Sequence, residues 1–271
     1  MRNKNSLDSV CAALAYVMGI EPPKCAAEGN RELMEYADRV FGNKRADRIV
    51  MYNPDAIAQW IYEKYASYCK AATAASELSL PLATVMPSVT PVCFGTMYTG
   101  AQPCVHGIQK YEKPIITVDT LFDALIRAGK RVALVTYGQC SLSRIYLGRN
   151  MDYYHFESGS IEDVNAKAAE LILRDEHDFI AIYNGNYDSV MHKFGPESQE
   201  ALAELRLNSS VFGSICKLIL SNWQNHNTLV GFAMDHGCHE IDGGCGSHGL
   251  DMDEDINITH LYRAIAKRSS L

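Results

Sequence analysis

The sequence lacks a surplus of positive charge. Its 25 Lys and Arg face 32 Asp and Glu, for a net charge of −7. Gripping a nucleic-acid backbone calls for clustered Lys and Arg, so no nucleic-acid polymer is expected as a partner. A small phosphorylated substrate stays open, because metal ions supply positive charge locally. The sequence also lacks an apolar run long enough to span a bilayer, and no membrane partner is expected. The strongest apolar stretch, Val10 to Ile20, follows Arg2 and Lys4 in the manner of a signal peptide. Asp8 interrupts its start and no small-residue cleavage site leads into a polar segment, so it reads as an amphipathic helix. A disulfide framework is lacking too: nine cysteines, an odd number, are scattered from Cys11 to Cys245. A chain of 271 residues buries a core without cross-links. Such cysteines read as buried thiols in a reducing compartment, and the expected location is cytoplasmic. Internal repeats, low-complexity tracts and Pro- or Ser-rich linkers are missing, which makes one domain the simplest account.

What is present alternates between two periods. Ser6 is placed to cap a helix that ends at Gly19, before Pro22 and Pro23, and a second helix is expected from Asn30 to Phe41. Arg48 to Tyr52 is an apolar run of strand type that leads to Asn53-Pro54-Asp55. Ala56 to Cys69 follows as a helix, with Trp60, Tyr62, Tyr65 and Tyr68 as packing residues. Further helices are expected from Asp119 to Ala128, Ser158 to Arg174, Glu197 to about Trp223, and Ile256 to Lys267. Further strands are expected from Arg131 to Thr136, Phe179 to Tyr183 and Thr228 to Ala233. Strands alternating with helices point to an α/β fold, a layered and mostly parallel central sheet with helices on both faces. In such sheets, loops leaving the carboxyl ends of the strands gather ligands along one edge.

Those exits carry the candidate chemistry. Asp55 leaves the first strand, Asp188 and His192 the third, Asp235 and His236 the fourth, and His248 follows on a Gly-rich loop from Gly243 to Gly249. Mixed carboxylate and imidazole sets suit zinc or manganese, and six ligands with a hydroxyl are enough for two ions. Asp188 and His192 stand four apart, so one helical turn points both the same way. Between Pro87 and Gly100, Thr90 stands where a helix is expected to begin, with Pro91 at its first position. Thr90 reads either as a helix cap or as a nucleophile held against an anion site at the helix N-terminus. Each piece alone has a plainer reading: Asp and Gly are common after strands, and a lone His usually serves as a hydrogen-bonding residue. Their joint occurrence at successive exits favours the functional reading. Cys238, His239, Cys245 and His248 have the wrong spacing for a structural zinc knuckle. His239 and Glu240 are candidates for groups that orient a ligand, against a plain loop role.

The motifs also have an order. Thr99-Gly100-Ala101-Gln102-Pro103-Cys104-Val105-His106-Gly107-Ile108 begins nine residues after Thr90. Asp188-Ser189-Val190-Met191-His192 runs into Gly195-Pro196, and Asp235-His236-Gly237 and His248-Gly249-Leu250-Asp251 follow. In this order and spacing, from about residue 48 to 251, they resemble the alkaline phosphatase superfamily, nucleotide pyrophosphatase/phosphodiesterase-like branch. The resemblance implies an alkaline phosphatase-like core, with residues 1–45 as an N-terminal helical segment packed on a single catalytic domain over 46–271. It implies a hydrolase of phosphate esters, foremost a phosphodiesterase or nucleotide pyrophosphatase, that works with two divalent metal ions, zinc first and manganese second. Asp188, His192 and His248 are then expected on one ion, and Asp55, Asp235 and His236 on the other. Thr90 is the implied nucleophile: it attacks phosphorus, expels an alcohol or nucleotide, and water hydrolyses the phospho-threonine. The expected partner is a small phosphorylated substrate, with nucleotides among the candidates, and His106 is read as structural. The chain also departs from the branch. Cys93 stands three residues after Thr90, where an Asn that holds a phosphoryl oxygen is expected, which leaves that role to helix N–H groups. Ala56 follows Asp55 in place of the usual Gly. Only eleven residues separate His236 from His248, so a near-minimal core with an open site is expected. The Cys-x-Pro-x-Arg signature of sulfatases is absent. A phosphomonoesterase, phosphonate hydrolase or phosphomutase on the same core is the alternative, and a non-catalytic metal-binding protein is the alternative of another class.

Overall fold

The computed structural model describes residues 1–157 and 160–268. Among the described residues the strands are β1 (Asn5–Ser6), β2 (Arg48–Pro54), β3 (Leu78–Ala83), β4 (Val132–Tyr137), β5 (Asp152–Phe156), β6 (Phe179–Asn184), β7 (Thr228–Phe232), β8 (His239–Ile241), β9 (Cys245–Ser247) and β10 (Asn257–Ile265). Eight of these form one sheet in the order β1-β3-β10-β7-β2-β6-β4-β5, and β8 pairs with β9 in a separate hairpin. Neighbours in the sheet are parallel except for the two pairs that β10 makes. One strand therefore runs against all the rest.

The middle of the sheet follows from composition. β2, β6 and β7 read as continuous apolar runs rather than alternating ones, which suits strands covered on both faces. Residues 49–54, 179–184 and 228–232 are all buried. One set of helices, Ser9–Met18, Thr90–Thr99, Leu121–Arg127 and Ser141–Ile145, packs together. A second set, Lys70–Ala75, Ile161–Arg174 and Gln199–Asn222, does the same. The result is the layered α/β arrangement, mostly parallel and flanked by helices, that the alternation implied.

The tail departs from expectation. Asn257–Ile265 is a strand and not a helix. Ile258, Leu261, Tyr262 and Ile265 do fall at helical spacing, but the segment is rich in β-branched and aromatic residues. Leu261 lies opposite both Ser79 of β3 and Phe232 of β7. The open edges of those two strands satisfy the backbone of β10 on both sides, and that long-range pairing decides the matter. Smaller differences are local. Ser6 enters β1 beside Ala83 instead of capping. The first helix starts at Ser9 and closes on Gly19 at φ 68°. The 56–69 stretch yields only the short helix Gln59–Lys64, and a second short helix, Lys70–Ala75, begins just past it. The helix expected from Ser158 is found over Ile161–Arg174 with Ser160 as its cap, and residues 158–159 lie outside the described residues. A separate helix, Asn186–Phe194, precedes the long Gln199–Asn222 helix.

Candidate active site

β7, β2 and β6 are neighbours in the sheet, so their carboxyl ends stand about 5 Å apart from one to the next. Asp55 follows β2, Asp235 and His236 follow β7, and Asp188 and His192 lie on the helix that follows β6. β3 points the same way, and the segment after it delivers Thr90 to the same edge. His248 arrives from the hairpin, just past β9. All seven residues singled out from the sequence meet there, in two groups. One is Asp188, His192 and His248; the other is Asp55, Asp235 and His236. Thr90 stands against the second, and the His236 and His248 rings, one from each group, are 4.1 Å apart between centroids.

Thr90 is not the helix cap. Val89 occupies that place in an extended conformation, Thr90 is the first helical residue, and its side chain makes no capping bond. The N–H groups of Val92 and Cys93 both bond to the Val89 carbonyl, at 3.0 Å each, so these amides are not left over to hold an oxygen of a ligand. The Thr90 hydroxyl is thereby released from the helix. Its Oγ1 lies 3.4 and 3.3 Å from the two Asp55 carboxylate oxygens and 3.3 Å from His236 Nε2.

The three imidazoles share one arrangement. Nδ1 of His192 faces the Gly246 carbonyl at 2.9 Å, Nδ1 of His248 faces the Ser88 carbonyl at 3.0 Å, and Nδ1 of His236 faces the Gly237 carbonyl at 2.9 Å. A carbonyl only accepts, so each Nδ1 carries a hydrogen and donates it, and each ring, once its other proton is given up, turns an Nε2 lone pair into the site. That is the orientation of a metal ligand. The spacing agrees. Donors about 2.0–2.1 Å from a tetrahedral ion stand roughly 3.3 Å from each other. Here Nε2 of His192 and of His248 are 3.2 Å apart, and Asp188 Oδ1 is 3.2 and 3.3 Å from them. In the other group His236 Nε2 is 3.3 Å from Asp55 Oδ1 and 3.3 Å from Asp235 Oδ2. Asp188 Oδ1 and Asp235 Oδ2 are buried with no hydrogen-bond partner, a costly state that a cation relieves. The donor set therefore fits divalent ions.

The charges show the same strain. Burial, with the neighbouring Asp55 charge added to it, pushes the Asp235 carboxyl well above the usual range. Burial opposes a charge on His236, yet Asp235 and Asp55 outweigh it and raise the ring to about 10. Asp188 is likewise penalised by burial, but His192 and His248 hold it well below the ordinary carboxylate range. The two groups differ in access: the His236 and Asp55 side chains are 0% and 2% exposed, against 42% for His192. One half of the site is floor and the other half is mouth.

Tyr183 and Ala56 show roles that the sequence pattern did not assign, and His106 takes the structural role expected of it. Tyr183, at the end of β6, donates its hydroxyl to Asp55 Oδ2 at close range; its place beside the Asp188 exit was the available signal. Ala56 N–H donates to Asp235 Oδ1 at 3.1 Å. Ile108 N–H donates to Nδ1 of His106 at 3.3 Å, so Nε2 carries the hydrogen toward Thr96 Oγ1 at 3.1 Å. His106 thus pins the Pro103–His106 turn to the Thr90 helix. Cys93 is fully buried, and its thiol, raised by burial and by Asp235, meets Thr84 and the backbone at Val85. It packs behind the site and offers no surface to a phosphoryl oxygen. Cys238, His239, Cys245 and His248 do not converge: His239 pairs with Asp255, and Cys245 lies against the Lys193 carbonyl. A groove of about 880 Å³, lined among others by Asp119, Asp123, Arg127 and Arg149, includes none of the site residues, and its charges answer one another.

Comparison with known proteins agrees with this geometry. No curated protein matches the chain. Among solved structures, murine ectonucleotide pyrophosphatase/phosphodiesterase 5 aligns with a TM-score of 0.57 at 18% identity, over 72% of this chain and 58% of that one. An inactive Thr-to-Ala variant of that enzyme, in complex with AMP, aligns at 0.56 and 17%, over 73% and 59%. Phosphonoacetate hydrolase from Sinorhizobium meliloti 1021, in complex with phosphonoacetate, aligns at 0.55 and 18%, over 73% and 59%. At such identities the likeness is one of fold, and the chain spans under two thirds of the length of each of these relatives. The profile of the type I phosphodiesterase / nucleotide pyrophosphatase family matches residues 71–267. That stretch holds Thr90 and five of the six acidic and imidazole side chains, with Asp55 added by the fold. The chain belongs to the type I phosphodiesterase / nucleotide pyrophosphatase family.

Proposed function

We propose that this protein hydrolyses phosphate esters, foremost diesters or nucleotide pyrophosphates, with Thr90 as nucleophile beside two divalent metal ions, zinc first. The observation that carries the reading is the Thr90 hydroxyl, free of its helix and 3.3 Å from both Asp55 and His236. Asp55, Asp235 and His236 would hold one ion, and Asp188, His192 and His248 the other. Ions bound there supply positive charge that favours an ionised hydroxyl and offsets charge on the phosphoryl oxygens. The Thr90 Oγ1–phosphorus bond forms and the ester or anhydride P–O bond breaks, and the hydroxyl proton is passed through solvent to the departing oxygen, which leaves as an alcohol or nucleotide. Water then cleaves the phospho-threonine and restores the hydroxyl. The helix that begins at Thr90 adds a partial positive charge at the point of attack. Tyr183 steadies Asp55 on the buried side. Residues 1–45 are read as a segment packed on one catalytic domain over 46–271. The free thiols of the described cysteines support a reducing, cytoplasmic setting, which cell fractionation checks.

A second reading has its own support: a likeness of fold to a hydrolase that holds a phosphonate. Turnover of a nitrophenyl nucleotide diester, nitrophenyl phosphate and phosphonoacetate separates the two. Preference for the diester is expected, and a strong preference for the monoester or phosphonate overturns it. Thr90→Ala is expected to reduce turnover to background while metal content, measured by elemental analysis, stays at the wild-type level. Retained turnover removes Thr90 from the mechanism.

A further inference from the structure

The loop from His236 to His248 carries one ligand of each group at its two ends, and it converges on a single residue. The Asp255 backbone carbonyl accepts the Gly237 N–H at 2.8 Å. Its Oδ2 accepts the Leu250 N–H at 2.8 Å, and its Oδ1 accepts the His239 Nδ1–H at 2.7 Å. The donors stand one and three residues past His236 and two residues past His248. Asp255 is completely buried. Gly237 leaves no room for a Cβ, which would strike the Glu254 carbonyl, so the two backbones are in contact at this point.

A carboxylate is an expensive group to bury for packing alone. Here both of its oxygens and its carbonyl are used, and each bond fixes a direction close to a ligand. We infer that Asp255, paired with His239, is the positioning residue that holds His236 and His248 in register, and so sets both metal groups at once. The pair touches neither substrate nor ion and works through the two histidines. The inference rests on the two-ion reading above.

Cobalt(II) titration of the metal-free full-length chain tests it, followed by visible absorption and chelator competition. Far-UV circular dichroism of the metal-free protein serves as a fold control. Wild type is expected to take up two ions; failure to do so sinks the two-ion reading itself. Asp255→Asn keeps one acceptor and loses the other, and is expected to weaken both ions about 10–100-fold with the metal-free spectrum unchanged. Asp255→Asn with wild-type affinity, or with only one ion weakened, overturns the inference. His239 decides independently if the Asp255 variant does not fold. His239→Leu should lower affinity, and His239→Asn, whose amide still donates to Asp255, should restore most of it. Equal affinities for His239→Leu and His239→Asn overturn the inference.

Discussion

Ala56 adopts φ 61°, in the left-handed region, although it carries a Cβ and is fully buried. The turn is forced by its neighbours. Asp55 must point at Thr90 while the Ala56 N–H reaches Asp235. A left-handed L-residue costs about 1–2 kcal/mol. Glycine removes that cost, but adds about 0.5–1 kcal/mol of unfolded-state entropy and gives up a buried methyl worth about 0.8 kcal/mol. These terms nearly cancel. Ala56→Gly is therefore expected to change unfolding free energy by less than about 1 kcal/mol, as read from urea denaturation. A loss above about 2 kcal/mol would show that methyl packing governs the site. The branch's usual glycine was visible from the sequence as a missing residue. Why a glycine suits the position needed the dihedral angle.

At the level of elements, the site is an outcome of strand order. β7, β2 and β6 lie side by side, and each contributes a carboxylate close to its end. β6 contributes a second group, Tyr183, whose hydroxyl bonds Asp55. Tyr183→Phe removes that bond and leaves an Asp55 oxygen short of a donor. It is expected to lower metal affinity several-fold, and kcat/KM with it, while costing about 1–3 kcal/mol of stability. Isothermal titration with zinc and a denaturation curve check the two parts, and unchanged metal affinity would reduce Tyr183 to a packing role. Long uniform runs such as Phe179–Asn184 declare themselves as buried strands. β10 does not, because its apolar residues fit two periods at once. Its identity rests on open strand edges that lie far away along the chain.

For the molecule as a whole, acid stability follows from buried histidines outside the site. His260, on β10, donates Nε2–H to the Met234 carbonyl at 2.7 Å and accepts from the Tyr262 hydroxyl at 2.9 Å. Burial lowers it to about 4, whereas an unfolded histidine titrates near 6.5. Between these values the unfolded chain holds the extra proton, so stability is full above about pH 6.5 and is lost as pH falls toward 4. The slope from this group is at most about 1.4 kcal/mol per pH unit. His260→Gln, which still donates, is expected to flatten the metal-free stability profile between pH 6.5 and 4. His106, also lowered to about 4 by burial, leaves part of the slope in place. A variant profile that parallels wild type would remove His260 as a cause.

The sequence alone determined the α/β class and the family, and it singled out Thr90 and the six Asp and His residues that meet at the sheet edge, because apolar period and motif spacing are local properties that survive without coordinates. It did not determine that Thr90 is released from capping, that Cys93 is fully buried, that Tyr183 bonds Asp55 and Asp255 bonds Gly237, His239 and Leu250, or that the tail is a strand. Each of these depends on contacts between residues remote in the chain. Asp55 reaches Thr90 across 35 positions, and Tyr183 reaches Asp55 across 128. Only the assembled sheet brings them within a hydrogen bond of one another, and at their buried site the low dielectric makes each pairing count.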